Sequence, residues 1–360
     1  SSEQTEIEAA IHTQFRYLLG YLDNRFKVSP ESERRQISDL QTRLLDDGTY
    51  ESTYVATTTV VIPNILAATT EFSATVPLRA DALGNQQFAA AYQEQCAGYA
   101  PLWYYYQPLR QQCPLRAEWV LPPDAHRVIV TTSRSDKNSI DKKPEYERLW
   151  SDGELKVLLV IGNANNFTQD YSRLLEVFGN LKREFGTATS VRRQDHPEWI
   201  QLDATFSTVR GPLRVNLIYL SDTNVSSGDI TFQTAFSNLT RRVDVVAYTG
   251  HAGLSANTQA LHRLATFESG QYQIYHVFAC HAWSYIQEEF FSKISAANAG
   301  APWSQTVDVV TNTDNSWYDQ GKDVTILVRA LVDSTATYKQ ILSRYTGTDR
   351  PVVIGEEDNP

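Results

Sequence analysis

Apolar residues recur every three or four positions along the first stretch of the chain, at Ile7, Ile11, Phe15, Leu18, Leu19 and Leu22. That spacing lines one face of an α-helix and predicts a helix over residues 5–26. Ile37, Leu40, Leu44 and Leu45 repeat the rhythm and predict a second helix over residues 30–46. The period then changes. "TYESTYVATTTVVIP" and "TEFSATVPLRA" are rich in β-branched residues and read as strands. A helix is expected near "NQQFAAAYQEQC", then the aromatic run "GYAPLWYYYQPLRQQC", then a strand in "AEWVLPPDAHRVIVTTS". The aromatic run fits a ligand or glycan surface, but burial in a core is the commoner role for such rings.

Residues 133–148, "SRSDKNSIDKKPEYER", are nearly devoid of apolar side chains, a linker composition. We therefore expect a smaller N-terminal α+β accessory domain over 1–133 and a polar linker over 134–150. The second domain is expected over 151–345, followed by a C-terminal tail over 346–360. In that domain the apolar positions run continuously: "LKVLLVIG" (155–162), "LRVNLIYL" (213–220), "VDVVAYTG" (243–250), "YQIYHVFAC" (272–280) and "VDVVTNT" (307–313). Uninterrupted apolar runs of strand length belong to strands buried on both faces of a parallel sheet. Between and after them "DYSRLLEVFGNLKREFG", "ITFQTAFSNLT", "FSKISAANAG" and "VTILVRALVDSTATYKQILSRY" carry helical patterns. This alternation predicts an α/β sandwich with a mostly parallel sheet.

Composition narrows the picture. A chain with 42% hydrophobic and 21% charged residues is an ordinary globular protein, and 360 residues suggest two domains. No apolar run reaches the roughly 18 residues that a bilayer span needs. The net charge of -10 argues against nucleic acid or an anionic membrane as the main partner. The chain opens Ser-Ser-Glu-Gln and contains no Met, which a removed export signal or an artificial trimming would each explain. Cys96 and Cys113 close a short loop, either as a disulfide in an oxidising compartment or as two buried thiols. Sequons at Asn166, Asn224 and Asn238 are compatible with export but arise by chance at this frequency, so the expected secreted, periplasmic or cell-surface location rests mainly on the possible disulfide. Cys280 is left over and calls for a chemical role.

Two strand endings suggest that role. One apolar run ends Thr249-Gly250-His251-Ala252-Gly253, and the next ends Phe278-Ala279-Cys280-His281. Functional residues of parallel sheets gather at the carboxyl ends of the strands. If the two strands are neighbours, a thiol and an imidazole emerge side by side, which is the minimal apparatus for covalent acyl transfer. The glycines would let a substrate backbone approach the oxyanion-stabilising N–H groups. A zinc site of His251, His276, Cys280 and His281 is the rival reading. Spacing opposes it, because His276 and Cys280 lie about 13 Å apart along a strand. No metal and no cofactor is expected.

A strand ending in a Thr-Gly-His-Gly-like motif, followed by one ending in Ala-Cys, resembles the caspase-like cysteine peptidases. These include caspases, metacaspases, legumains, separases, clostripain and gingipains, and the likeness is closest to the bacterial gingipain- or clostripain-like branch. It covers roughly residues 150–345 and implies a caspase-like α/β/α sandwich acting on protein or peptide substrates. It implies His251 as general acid/base, Cys280 as nucleophile, and the N–H groups of Ala252, Gly253 and Cys280 as oxyanion hole. The chain departs from the family at Ala252, where Gly is usual, and at Phe278, which stands where relatives carry an acidic or polar pocket residue. "TNTDNSWYDQ" resembles the segment that lines the substrate groove. Asp314, Ser316 and Trp317 are therefore expected at the substrate, with Asp314 selecting Lys or Arg through its charge. Asn163, Asn165 and Asn166 after the first strand fall on the same edge. Lys142-Lys143 in the linker offers a site for self-cleavage. Two alternatives stay open: an inactive binding or scaffold protein on this fold, and an acyl transferase or amidase using the same dyad.

Overall fold

The computed structural model describes residues 2–30, 36–62, 66, 68–75, 93–98, 102–113, 127–133, 139–162, 172–220, 230–317, 321–347 and 350–356. The chain divides between Arg134 and Ser135 into two units. In the first, α1 (Ser2–Phe26) buries Ile11, Phe15, Leu18, Leu19 and Leu22, the face that the apolar spacing predicts. Three antiparallel pairs follow. They are β1 (Ser29–Pro30) with β4 (Val60–Val61), β2 (Gln36–Leu44) with β3 (Tyr50–Thr57), and β5 (Glu71–Thr75) with β6 (Arg127–Thr131).

The helix expected over 30–46 is not formed, because residues 36–44 are strand β2. Its helix-like spacing has a specific cause. The ladder with β3 shifts register between Ser38 and Gln41, with Asp39 at φ 53°. One such irregularity flips side-chain parity, so Ile37 and Leu40, three apart, are both half-buried while their neighbours stay exposed. The short helix α2 (Gln93–Cys96) ends at Cys96, which forms a disulfide with Cys113. Trp103, Tyr104 and Tyr106 of the aromatic run are buried in the same cluster as both cysteines, so these rings are core. Closing a loop over a separation of 17 residues constrains the unfolded chain by about 3 kcal/mol.

The second unit starts earlier than its composition suggests. Within the segment expected as linker, Tyr146, Leu149 and Trp150 are buried, the first two on α3 (Tyr146–Leu149). Polar neighbours masked these anchors in the sequence. Tyr146 Oη donates to Ala336 O at 2.6 Å, and Trp150 Nε1 donates to Leu331 O at 3.1 Å. The carbonyls of Ile140 and Lys142 accept from the N–H groups of Lys339 and Tyr338, so the backbone at Lys142-Lys143 is tied to the body of the unit.

An eight-stranded sheet forms the centre, in the order β14-β13-β12-β11-β7-β10-β9-β8. Its strands are β7 (Leu155–Gly162), β8 (Ser190–Asp195), β9 (Trp199–Ser207), β10 (Pro212–Leu220), β11 (Val245–Thr249), β12 (Gln273–Phe278), β13 (Val307–Asn312) and β14 (Pro351–Ile354). β13, β12, β11, β7 and β10 run parallel, and they coincide with the apolar runs of the sequence. β9 and β14 flank them antiparallel, and β8 pairs antiparallel with β9. The expected C-terminal tail needs correction: residues 351–354 are an edge strand, and Glu356 beyond it is buried.

Helices flank this mostly parallel sheet. On one face α4 (Ser172–Phe185) and α8 (Lys322–Asp333) bury Leu174, Val177, Leu181, Leu327 and Leu331 with Val157, Leu159, Leu217, Ala247 and Phe278 of the strands. Alternate residues of the same strands point the other way, towards α5 (Ile230–Thr240), α6 (Ala256–Leu264) and α7 (Glu288–Ala297). There Phe232 meets Trp199, and Phe290 meets Tyr275. The long helix expected over the last apolar pattern is two helices. α8 stops at Ser334, which adopts φ 55°, and α9 (Tyr338–Leu342) restarts with a capping box between Thr337 and Gln340. Among the described residues no helix is long and apolar enough to cross a membrane.

Candidate active site

β11 and β12 are hydrogen-bonded neighbours, in register from Val245–Ile274 to Thr249–Phe278. The pairing extends one step past the ladder, where Gly250 N–H donates to Phe278 O at 3.3 Å. His251 therefore leaves β11, and Cys280 leaves β12, at the same carboxyl edge. The chain order reverses one strand away, at β7, which has β10 on one side and β11 on the other. Crevices near such a reversal are where open α/β sheets bind ligands. His251 is exposed, and Cys280 is a half-buried free thiol.

The loop bearing His251 is held by groups that the sequence patterns did not single out. Tyr248, buried in β11, folds its hydroxyl back to donate to His251 O at 2.8 Å. Asn257 Nδ2 donates to the same carbonyl at 3.0 Å, and Asn257 N–H donates to Ala252 O at 3.1 Å. Burial above all, with the nearby Cys280 adding to it, pushes the Tyr248 hydroxyl up, so it stays a neutral donor. This ring also explains the glycine before the histidine. A Cβ on Gly250 would lie 2.6 Å from Tyr248 Oη and 3.0 Å from Gly162 Cα. Room for Tyr248, rather than for substrate, is what Gly250 supplies.

Gly253 has a different reason. It adopts φ 61° and opens a run in which Leu254 and Ser255 are also left-handed, at 51° and 84°. Ala252 needs no such freedom: its φ is negative and its methyl group is buried. An alanine at position 252, where the resemblance leads one to expect glycine, thus costs the backbone nothing. The N–H groups of Ala252 and Gly253 donate to no group of the described residues. Among the described residues they are therefore open donors next to the histidine, of the kind an oxyanion requires.

Gly250→Ala is expected to lower stability by about 1–3 kcal/mol through overpacking. The loss should shrink in a Tyr248→Phe background, which removes the nearest clashing atom. Chemical denaturation of the four proteins checks this, and equal losses in both backgrounds would count against it.

Cys280 sits at a sharp turn. His281 follows at φ 52°, and residues 282–285 form one turn of 3₁₀ helix. The Cys280 thiol faces Ser316 O, with Sγ to O 3.9 Å. Ser316 therefore borders the Cys280 thiol through its carbonyl, and Trp317 beside it is 68% exposed, a ring open to a ligand. Asp314 is otherwise engaged. Its carboxylate takes Arg350 Nη2 at 2.9 Å and Nε at 3.1 Å, and Asn315 N–H at 2.8 Å. The charge expected to select Lys or Arg is already matched within the chain, which corrects that expectation. Phe278 is corrected as well: it is part of the core, stacked on buried His276 with centroids 4.3 Å apart. Asn163, Asn165 and Asn166 lie outside the described residues, as does Asn224, while Asn238 is exposed on α5.

Burial lowers the His276 imidazole to about 3, so it is a neutral ring inside the sheet's helix-covered face. His281 is buried too. Among the described residues no cluster of three His, Cys, Asp or Glu side chains could hold a metal ion.

No family model matches this chain, and no curated protein matches it either. Among solved structures it is similar to the G domain of the T. maritima FeoB iron transporter, at 14% identity and a TM-score of 0.26. That likeness covers 50% of this chain and 98% of that one, and at such a score it carries no argument about fold or function.

Proposed function

We propose that the second unit is a caspase-like cysteine peptidase, with Cys280 as nucleophile and His251 as general acid/base. The observation that carries this reading is the juxtaposition of the two residues just past the hydrogen-bonded ends of β11 and β12. In the proposed cycle the Cys280 thiol gives its proton to His251 and the sulfur attacks the scissile carbonyl. The N–H groups of Ala252 and Gly253 stabilise the oxyanion. The imidazolium then protonates the leaving amine, and water, deprotonated by the same ring, releases the acyl group. Strand order and the placement of the histidine after the third and the cysteine after the fourth parallel strand support the family reading. The closed Cys96–Cys113 disulfide supports an exported protein.

The test is covalent. A peptidyl chloromethyl ketone, added without reductant, should alkylate Cys280, the free cysteine, far faster than it alkylates free cysteine amino acid. Peptide mapping by mass spectrometry should locate the adduct, and His251→Ala should slow labelling at pH 7 by at least about tenfold. Labelling no faster than the free amino acid, or unaffected by His251→Ala, would sink the dyad.

A further inference from the structure

We propose that Asn312 is the positioning residue for the nucleophile, its buried amide fixing the turn that presents Cys280 and the loop beside it as one unit. This rests on the peptidase reading only for what the sulfur attacks.

The backbone ladder between β12 and β13 ends at Val277–Thr311. Thr311 Oγ1 adds a bond to Val277 O at 2.7 Å, still within the strands. One residue later the side chain of Asn312 takes over. Its Oδ1 accepts from Ala279 N–H at 3.2 Å, and its Nδ2 donates to Ala279 O at 2.7 Å and to Asp314 O at 2.6 Å. The partners determine the amide's orientation, one donor on one side and two carbonyls on the other. Asn312 is fully buried, so water offers no substitute for these bonds.

Asp314 O also accepts from His281 N–H at 2.9 Å. Both residues flanking Cys280 are therefore anchored to the 312–314 segment. Ala279 is held by the amide directly, and His281 by the carbonyl that the amide orients. Between them the chain makes the left-handed turn at His281, a conformation that a non-glycine residue keeps only under external hold. The same segment leads to Ser316, whose carbonyl faces the thiol. One amide thus couples the direction of the sulfur to the wall next to it.

Asn312→Asp is the discriminating change. It keeps the acceptor for Ala279 N–H but aims an oxygen at two carbonyl oxygens, so the turn must reorganise. Thr311→Val removes a buried bond one residue away and serves as the stability control. Three quantities are measured on the full chain: thermal midpoint, the second-order rate of Cys280 alkylation by iodoacetamide between pH 5 and 9, and kcat and KM on a peptide substrate. Asn312→Asp is expected to lower kcat at least tenfold with KM changed less than about threefold, and to displace the pH profile of alkylation. Thr311→Val is expected to lower the midpoint while keeping kcat and that profile within about twofold of wild type. Asn312→Ser, measured below its own midpoint, stands in if the Asp variant does not fold. The alkylation comparison tests Asn312 whether or not the chain cleaves peptides. A wild-type profile in both Asn312 variants, or the same change in Thr311→Val, overturns the proposal, whereas a wild-type chain that fails to cleave peptides overturns only the peptidase reading.

Discussion

His251→Ala is expected to lower kcat/KM for peptide cleavage by about 10²–10⁴-fold, the range that a positioned general acid/base contributes. In the proposed cycle the ring has two tasks, taking the thiol proton before attack and giving a proton to the leaving amine. An alanine leaves both to water. The loss should fall mainly on kcat, because His251 is exposed and its removal leaves the surrounding loop bonded. Those bonds run to its backbone carbonyl, from Tyr248 and Asn257, and survive the loss of the side chain. A folded His251→Ala protein is therefore expected, with an unaltered melting transition. Steady-state kinetics on a fluorogenic peptide library provide the measurement, and a His251→Ala variant that retains wild-type kcat/KM would refute the assignment.

The second large effect concerns stability against pH and arises at the opposite end of the parallel strands. Asp308, at the start of β13, is fully buried. It faces the hydroxyls of Tyr272 and Tyr338, both of which donate to its Oδ2, and the carboxyl group of Glu356 on the C-terminal segment. Tyr272 also donates to Glu356 Oε1 at 3.2 Å, and the Arg148 guanidinium lies 5.2 Å from the Tyr272 ring centre. Burial first, then Glu356, push Asp308 well above the usual carboxylate range. The folded state thus keeps a proton that the unfolded chain releases near pH 4. Stability from this group is complete below that pH and declines as pH rises towards the raised value.

Asp308→Asn removes the titration and keeps an oxygen for the tyrosines. Wild-type minus variant stability should fall by about 1.4 kcal/mol per pH unit from about pH 4 until Asp308 ionises, then level off. The difference is the informative quantity, because other buried groups also titrate. Burial raises Asp244 to about 7, with the same sign as Asp308. It lowers His262 and His276 to about 3, which makes stability rise with pH up to the ordinary histidine range. These contributions cancel in the subtraction. Urea titrations at pH 4 to 9 supply both curves, and a flat difference would remove Asp308 from the account.

The contrast between His251 and Asp308 shows what kind of feature a sequence displays. Both proposed dyad positions were legible because each ends an apolar run of strand length, and a parallel sheet brings such endings to one edge. Five parallel strands were legible for the same reason. Strand β2 was not, since one register shift gave Ile37 and Leu40 a helical spacing. Tyr146 and Trp150 were lost among charged neighbours, though their apolar bodies are buried and their polar tips are bonded. Asp314 misled because a lone acid in a polar loop carries no sign of its partner, and Arg350 lies 36 residues further along.

By itself, then, the sequence determined the alternation of buried strands and helices and the pair of residues delivered to the carboxyl edge. These follow from local periodicity, which is written in consecutive residues. Only the tertiary structure decided what holds that pair and what neutralises its surroundings. Tyr248 and Asn257 meet over one carbonyl, Asn312 replaces the ladder at Ala279, Arg350 occupies Asp314, and Asp308 finds Glu356. Most of these contacts join residues far apart in the chain, and short polar side chains acquire their roles only from the partners that folding places within hydrogen-bond reach.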